Sequence, residues 1–343
     1  MVVRIQILKV FIYPLNSLLQ RLVMAVVISA TCLFTPAQNP ENEKEEAVKV
    51  NTSLVTVPVI VSDRSNRYVS GLTQSDFRIF QDGSEQKIAI FSDQEAPMSV
   101  ILALDTSVST KPVIGSIKNA AKEFITKLGP ADLCMVLTFD FKIRVLSPLT
   151  ADKKALDSSI KKAQAGKTGG TVLNDALYLG INGILKSING RKAVVILTDG
   201  KDYKSDHRTN DVLDRISAAD TVIYPIYFET EDMPASRNPR LFGLGRLSMN
   251  RRQTYPDLEP TNAAARIFLQ QLADLTGGRL FSPEGQKLSD AFNQIADEMK
   301  RQYLVGYYPP EDVKTGAVHK LRVQVDRPDT VVRAKSEYRS QSK

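Results

Sequence analysis

The sequence predicts an α/β fold: an open, mostly parallel sheet with helices on both faces, inserted in a small β-sandwich. Two observations lead to this prediction. Between residues 98 and 302, apolar strand segments alternate with amphipathic helical segments, which is typical of parallel sheets. On either side, residues 48–97 and 303–343 contain strand patterns without helical ones. Because neither flanking segment is long enough to bury a good core alone, we expect the two to pair with each other.

The first 37 residues are typical of an export signal. They contain three basic residues and no acidic ones: Arg4, Lys9 and Arg21. An apolar run extends from Leu22 to Phe34. This run of about 13 residues is shorter than the roughly 20 that span a bilayer, and it matches the apolar core of a signal peptide. We therefore expect an exported protein that is periplasmic, secreted or on the cell surface.

The end of this signal is predicted at Ala37. Small side chains at Thr35 and Ala37 favour cleavage after Ala37, which leaves residues 38–47 as a polar linker. An uncleaved membrane anchor is the alternative, because Val2–Leu8 is also largely apolar. Association with a membrane is expected only in that case.

The composition is that of an ordinary globular protein, with 43% hydrophobic and 24% charged residues in a chain of 343. Without the three basic residues of the signal, the formal charge of +7 falls to +4. This small excess is spread along the chain, so no nucleic-acid partner is expected. Cys134 is the one cysteine outside the signal, so no intramolecular disulfide is expected.

Alternation with a period of two predicts the strands of the flanking segments. Apolar residues largely alternate with small or polar ones from Val48 to Val61. Two more strands are predicted at 77–80 and 87–91, separated by Asp82-Gly83, a strong signal for a hairpin turn. The C-terminal segment predicts strands at 303–308, 321–325 and 331–334.

The α/β region begins with a continuously apolar strand at 99–104, a pattern that favours burial on both faces. A helix is predicted from Pro112 to Leu128, with the proline in its first turn. The remaining predicted strands are 132–139, 143–147, 192–198, 221–228 and 279–282, and the remaining predicted helices are 151–163, 172–187, 209–219, 262–275 and 287–300. Ligands of such sheets bind beyond the carboxyl ends of the strands.

Three polar segments follow predicted strands or begin a predicted helix at that edge. Asp105-Thr106-Ser107-Val108-Ser109 follows the first buried strand, and Thr198-Asp199-Gly200 ends the strand at 192–198. Gly169-Gly170-Thr171 precedes the helix at 172–187. An Asp-x-Ser-x-Ser segment alone is a weak signal. The three segments together, each at the end of a suitable element, are much more specific.

These segments offer only oxygen ligands, which hard divalent cations prefer: Mg²⁺ first, with Mn²⁺ or Ca²⁺ as alternatives. Hydroxyls of Ser107, Ser109 and Thr171 can coordinate a cation without cancelling its charge. Asp105 and Asp199 can hold it directly or through water. A coordination position then remains for an acidic group of a partner.

The segment from Val100 to about Arg301 resembles the von Willebrand factor A family and its metal-ion-dependent adhesion site (MIDAS). The resemblance rests on four segments: 104–109, 169–171, 197–200 and Leu272-Ala273-Asp274-Leu275-Thr276-Gly277-Gly278. It implies that Ser107, Ser109 and Thr171 coordinate the metal directly, while Asp105 and Asp199 act mostly through bound water. The whole layout is also similar to a subgroup of exported bacterial proteins, known mainly from acidobacterial genomes.

Other polar residues near the predicted metal edge are candidates for contact with a partner. Asp202 either adds negative potential near the metal or solvates its loop. The stretch 229–261 should emerge on the same side of the sheet, either as a partner-contact loop or as a mobile insertion. Its candidate contacts are Arg237, Arg240, Arg246 and Arg251, beside Arg252.

The sequence therefore predicts a metal-dependent adhesion or assembly module, not an enzyme, whose protein partner offers an Asp or Glu carboxylate. A structural subunit of a cell-envelope complex is a second hypothesis. A metal-assisted hydrolase is a third, but no Ser/His/Asp grouping, nucleophile elbow, phosphate loop or Cys/His cluster supports it.

Overall fold

The computed structural model describes seven segments of the chain: 54–65, 67–93, 96–167, 169–229, 261–283, 288–310 and 316–340. The predicted signal, the linker at 38–47 and the first residues of the predicted strand at 48–61 lie outside the described residues. The described residues form one compact unit. Within the described segments, no helix combines the length and apolar character needed to cross a membrane.

Strands and helices alternate through the middle of the chain, and strands predominate at both ends. The strands are β1 (Val55–Asp63), β2 (Phe77–Gln81), β3 (Ser84–Gln86), β4 (Ile88–Ser92), β5 (Met98–Asp105), β6 (Leu133–Phe139), β7 (Ile143–Val145), β8 (Arg191–Thr198), β9 (Thr221–Tyr227), β10 (Tyr303–Tyr307), β11 (Val318–Val325), β12 (Thr330–Ala334) and β13 (Glu337–Arg339). The helices are α1 (Ile114–Lys127), α2 (Lys153–Lys162), α3 (Leu173–Tyr178), α4 (Thr209–Ala218), α5 (Asn262–Thr276) and α6 (Leu288–Lys300). A π-helical turn at Leu179–Ile184 extends α3.

The central sheet has the order β7-β6-β5-β8-β9. Neighbouring strands are parallel except for the antiparallel pair β6–β7. Successive residues of β5 point to opposite faces, so Leu102 packs into one apolar core and Ile101 into the other. Helices α1, α2 and α6 cover the first face, and α3, α4 and α5 cover the second. The predicted α/β fold is confirmed.

The flanking segments form two four-stranded sheets, β12-β1-β10-β4 and β13-β11-β2-β3. Each sheet mixes N-terminal and C-terminal strands. In the first, Val59 pairs with Tyr303, and in the second Ile79 pairs with Val323. These four side chains share one buried apolar cluster with Tyr307. The predicted β-sandwich is confirmed, with the α/β region inserted between β4 and β10.

The Asp82-Gly83 turn joins different strands from those predicted. Both residues have positive φ, 50° and 88°, as a tight hairpin requires. The hairpin pairs β2 with the short β3, in which Ser84 faces Gln81. Strand β4, which contains most of the predicted strand 87–91, leaves this hairpin and pairs with β10 in the other sheet.

The strand predicted at 279–282 is reduced to a single parallel bridge between Phe281 and Ile226. The Phe281 backbone N–H donates to the Pro225 carbonyl at 2.9 Å, and the Tyr227 N–H donates to the Phe281 carbonyl at 2.7 Å. Gly278, three residues earlier, also lies close to β9, at the carbonyl of Ile223.

Arg191, the first residue of β8, joins the two connections between the sandwich and the central sheet. Its guanidinium donates to the Ala96 carbonyl, just before β5, at 3.0 Å, and to the Met299 carbonyl near the end of α6. One side chain therefore holds both connections in place, at the edge of the sheet where β5 and β8 begin.

Replacing Arg191 with methionine is expected to lower the free energy of unfolding by about 1–3 kcal/mol, since two carbonyls lose a charged donor. Urea unfolding followed by circular dichroism would measure this loss. Arg215→Met, on the exposed face of α4, is the matched control and should stay within about 0.5 kcal/mol of the parent. Equal stabilities of the two variants would show that Arg191 does not hold the connections in place.

Candidate metal site

Two aspartates mark the carboxyl edge of the central sheet. Asp105 is the last residue of β5 and is fully buried, and Asp199 follows β8 and is 4% exposed. Since β5 and β8 are parallel neighbours, their following loops leave the sheet at the same edge. This is the edge where ligands of open α/β sheets bind.

A chain of hydroxyl and carboxylate groups connects the two loops. The side-chain oxygens of Ser107 and Ser109 lie 2.9 Å apart. The Ser109 hydroxyl donates to Oδ2 of Asp199 at 3.2 Å. The structure thus brings together three of the five residues predicted to hold the metal.

Asp105 holds this run of hydroxyl and carboxylate groups in place. One carboxylate oxygen accepts from the backbone N–H of Ser107 at 2.8 Å, and the other accepts from the Thr198 hydroxyl at 2.8 Å. Burial and the negative charge of Asp199 together raise the pKa of Asp105 to about 7, against the opposing effect of the hydrogen bonds from Ser107 and Thr198. A buried carboxylate pair of this kind favours a neighbouring positive charge.

Thr171, the fifth predicted ligand, is 3% exposed. Its described hydrogen bonds are made by its carbonyl oxygen, which accepts from the N–H groups of Tyr203 and Lys204 at 3.0 and 3.2 Å. The Val172 N–H donates to the Asp140 carbonyl at 2.9 Å. These bonds hold the Thr171 loop against both neighbouring loops of the same edge.

The donor set fits a small, hard divalent cation. The described residues contain no group of three or more His, Cys, Asp or Glu that could hold a metal, so any cation here depends on hydroxyls as well as two carboxylates. An all-oxygen set suits Mg²⁺, Mn²⁺ or Ca²⁺. A cation would also offset the repulsion that raises the pKa of Asp105.

Asp140 belongs to this edge, although no pattern in the sequence identified it. It follows β6 and is fully buried, and it forms an ion pair with Arg144 at 2.8 Å. Its backbone N–H donates to the Lys142 carbonyl at 3.2 Å. The one signal in the sequence was the i,i+4 spacing of Asp140 and Arg144. Such pairs of opposite charges are common on protein surfaces, so the spacing does not indicate a buried acid.

Asp202 anchors its loop to the start of α3. Its carboxylate accepts from the backbone N–H of Asn174 at 2.7 Å and from the Ser205 hydroxyl at 2.5 Å. An acid suits the N-terminus of a helix, so these bonds favour a structural role over contact with a partner. The other candidate contacts, Arg237, Arg240, Arg246 and Arg251, lie outside the described residues.

Residues 100–201 match the family model of the von Willebrand factor type A domain. The chain therefore contains a von Willebrand factor type A domain, and the matched residues include all five of the predicted metal ligands. No curated protein matches the chain.

Solved structures that match part of the chain come from several organisms. An aerotolerance-related membrane protein from Bacteroides fragilis is 15% identical and covers 59% of this chain and 98% of its own, with a TM-score of 0.43. A von Willebrand factor type A structure from Catenulispora acidiphila is 12% identical and covers 85% and 74%, with a TM-score of 0.43. Proximal thread matrix protein 1 from the mussel byssus, solved with a zinc-occupied MIDAS motif, is 16% identical and covers 64% and 49%, with a TM-score of 0.43.

Proposed function

We propose that this chain is an exported protein-binding module that depends on a divalent cation. Mg²⁺ is the first candidate, held by Asp105, Ser107, Ser109, Thr171 and Asp199. A carboxylate of a partner protein then completes the coordination of the cation. The observation that carries this proposal is the run of oxygens from Ser107 through Ser109 to Asp199 at the carboxyl edge of the sheet.

The mixture of ligands supports binding of an anion. When bound, the cation would supply a positive charge that the neutral hydroxyls of Ser107 and Ser109 leave largely uncancelled. Asp105 uses both its oxygens to fix the Ser107 backbone and Thr198, so it orients the loop. The protein therefore holds its ligands in place before a partner arrives, which reduces the entropy cost of binding.

The same geometry favours binding over catalysis. A metal-assisted hydrolase needs a base beside the metal. The chain has two histidines, and both have other partners: His207 pairs with Asp175 at 2.7 Å, and His319 pairs with Asp82 of the sandwich at 2.7 Å. We therefore propose a module that is not an enzyme.

The first test is cation binding by isothermal titration calorimetry, with Asp199→Ala as the variant. This substitution is expected to weaken Mg²⁺ binding by at least tenfold, as the loss of a ligand or of its support typically does. Asp199 is preferred to Asp105 because removing Asp105 also frees the Ser107 backbone and the Thr198 hydroxyl. Asp206→Ala, an exposed acid in the same loop, is the matched control.

The second test is capture of a partner from cell-envelope fractions with Mg²⁺ or with EDTA. Mn²⁺, Ca²⁺ and Zn²⁺ complete the series, the last because the mussel protein was solved with zinc. We expect capture that requires a cation and is lost in Asp199→Ala but kept in Asp206→Ala. Capture that survives both EDTA and Asp199→Ala would disprove the role of the metal. A Mg²⁺ titration without heat or saturation would disprove the site.

Export is part of the same proposal and has its own test. The support is the pattern of residues 1–37, and the mass of the mature protein would locate a cut after Ala37. A mass that includes all of these residues, in a membrane fraction, would instead support the anchor.

A further inference from the structure

Beside the metal-site loops lies a surface that we name the basic–aromatic rim: Phe141, Lys142, Arg144, Tyr203 and Lys204. Two of its members are large side chains that the core does not use, since Phe141 is 41% exposed and Tyr203 is 49% exposed. Lys142 and Lys204 are also exposed.

Phe141 is held among cations. The Lys142 ammonium and the Arg144 guanidinium each lie 5.5 Å from the centre of its ring. Such contacts are favourable, by about 0.5–1 kcal/mol at an exposed site. They keep an exposed aromatic ring in one place, where an apolar side chain of a partner can cover it.

The rim is attached to the loop that carries Thr171. A β-carbon added at Gly170 would lie 3.1 Å from Cδ of Lys204 and 3.5 Å from Cβ of Phe141, so Gly170 lies between these two side chains. The backbone N–H groups of Tyr203 and Lys204 donate to the Thr171 carbonyl. The rim therefore lies directly against the loop that carries one of the predicted metal ligands.

The exposed charge of the rim is positive. Asp140 is buried and paired with Arg144, the carboxylate of Asp202 accepts hydrogen bonds from Asn174 and Ser205, and Asp206 is an exposed acid of the same loop. Lys142 and Lys204 remain as exposed cations. Together with the charge of a bound cation, they make the surface complementary to an acidic partner.

We infer that the partner binds through an acidic peptide segment that makes three contacts. One carboxylate reaches the metal, a second carboxylate meets Lys142 and Lys204, and an apolar side chain between them covers Phe141. This inference rests on the proposed function, and it adds that the metal alone does not select the partner. A segment with a single carboxylate satisfies only the first contact.

The test uses a random dodecapeptide phage library selected on the full chain, in Mg²⁺ and in EDTA. Peptides that depend on Mg²⁺ are expected to carry two acidic residues around an aromatic or aliphatic one. A selected peptide is then synthesised and titrated against Phe141→Ala and against the double variant Lys142→Glu, Lys204→Glu. Each should bind it about tenfold more weakly, the loss typical of an important contact, while still binding Mg²⁺ in the absence of peptide.

The matched control is the double variant Lys87→Glu, Lys154→Glu, which makes the same change in net charge. Both lysines are exposed, Lys87 in the turn before β4 and Lys154 in α2. It should keep the affinity of the parent. If Mg²⁺-dependent peptides carry one acidic residue and bind the rim variants as well as the parent, the inference is wrong and the proposed function stands. If Mg²⁺ binds but selects no peptide, the inference is wrong, and the capture experiment with envelope fractions decides the proposed function.

Discussion

Replacing Gly278 with alanine should lower the free energy of unfolding by about 3 kcal/mol or more. A β-carbon at this position would overlap the carbonyl oxygen of Ile223, and it would lie 2.9 Å from the carbonyl carbon of the same residue. Both atoms belong to the backbone of β9, which is buried along its whole length. The clash can be relieved only by moving a strand, because no flexible side chain is available to yield.

Gly115→Ala is the matched control for this substitution. Gly115 is in the first turn of α1, where an added β-carbon would meet nothing within 4 Å. Alanine is the better helix former, so this variant should be as stable as the parent or more stable by up to about 1 kcal/mol. Guanidinium unfolding would compare the two. A Gly278→Ala protein within 1 kcal/mol of Gly115→Ala would show that β9 is not held against this turn.

Without a divalent cation, the protein should lose stability as the pH rises from about 4 to about 7. The cause is Asp105, whose pKa is raised from 3.8 to about 7 by burial and by the charge of Asp199. Between these values the folded protein holds a proton that the unfolded chain has released. The stabilisation is complete below pH 3.8 and is lost through pH 7, with a maximum slope of about 1.4 kcal/mol per pH unit.

Urea unfolding at pH 5 and pH 8 in EDTA would measure this loss, with Asp105→Asn as the reference. The asparagine cannot ionise. The free energy of unfolding of the parent, measured relative to Asp105→Asn, should therefore fall from pH 5 to pH 8. At pH 8, Mg²⁺ at a hundred times its dissociation constant should raise the free energy of unfolding of the parent by about 3 kcal/mol. A parent with the same pH dependence as Asp105→Asn would rule out the buried carboxylate as the cause.

Much of the fold could be predicted because its signals are local. The apolar residues of β5 indicate burial on both faces, and alternation along β1 and β11 indicates sheets with one face covered. Local signals do not indicate which strands pair with each other. The sequence of β4 is suitable for either sheet of the sandwich, and its pairing with β10 depends on contacts more than 200 residues apart.

At the candidate site too, the sequence indicates the position of some residues and not of others. The sequence could place Asp105, Ser107, Ser109, Thr171 and Asp199 at one edge of the sheet because each follows a strand or precedes a helix there, and their role as metal ligands stays a prediction. Asp140 and the basic–aromatic rim could not, because their proximity is created by the loop after β6, which lies against Gly170 and Val172. Arg191 also gave no signal, since its two acceptors are backbone carbonyls, which every residue has.

The arrangement at Arg191 has a mechanical consequence for the proposed binding of a partner. The metal edge lies about 23 Å from the opposite end of β5, at about 3.3 Å per residue. A pull on the partner would pass from the α/β region into the sandwich through two covalent connections, one from β5 to β4 and one from α6 to β10. These strands are neighbours in one sheet, so each carries part of the load. Detaching the domain would require both to yield together, whereas a single tether fails at one point.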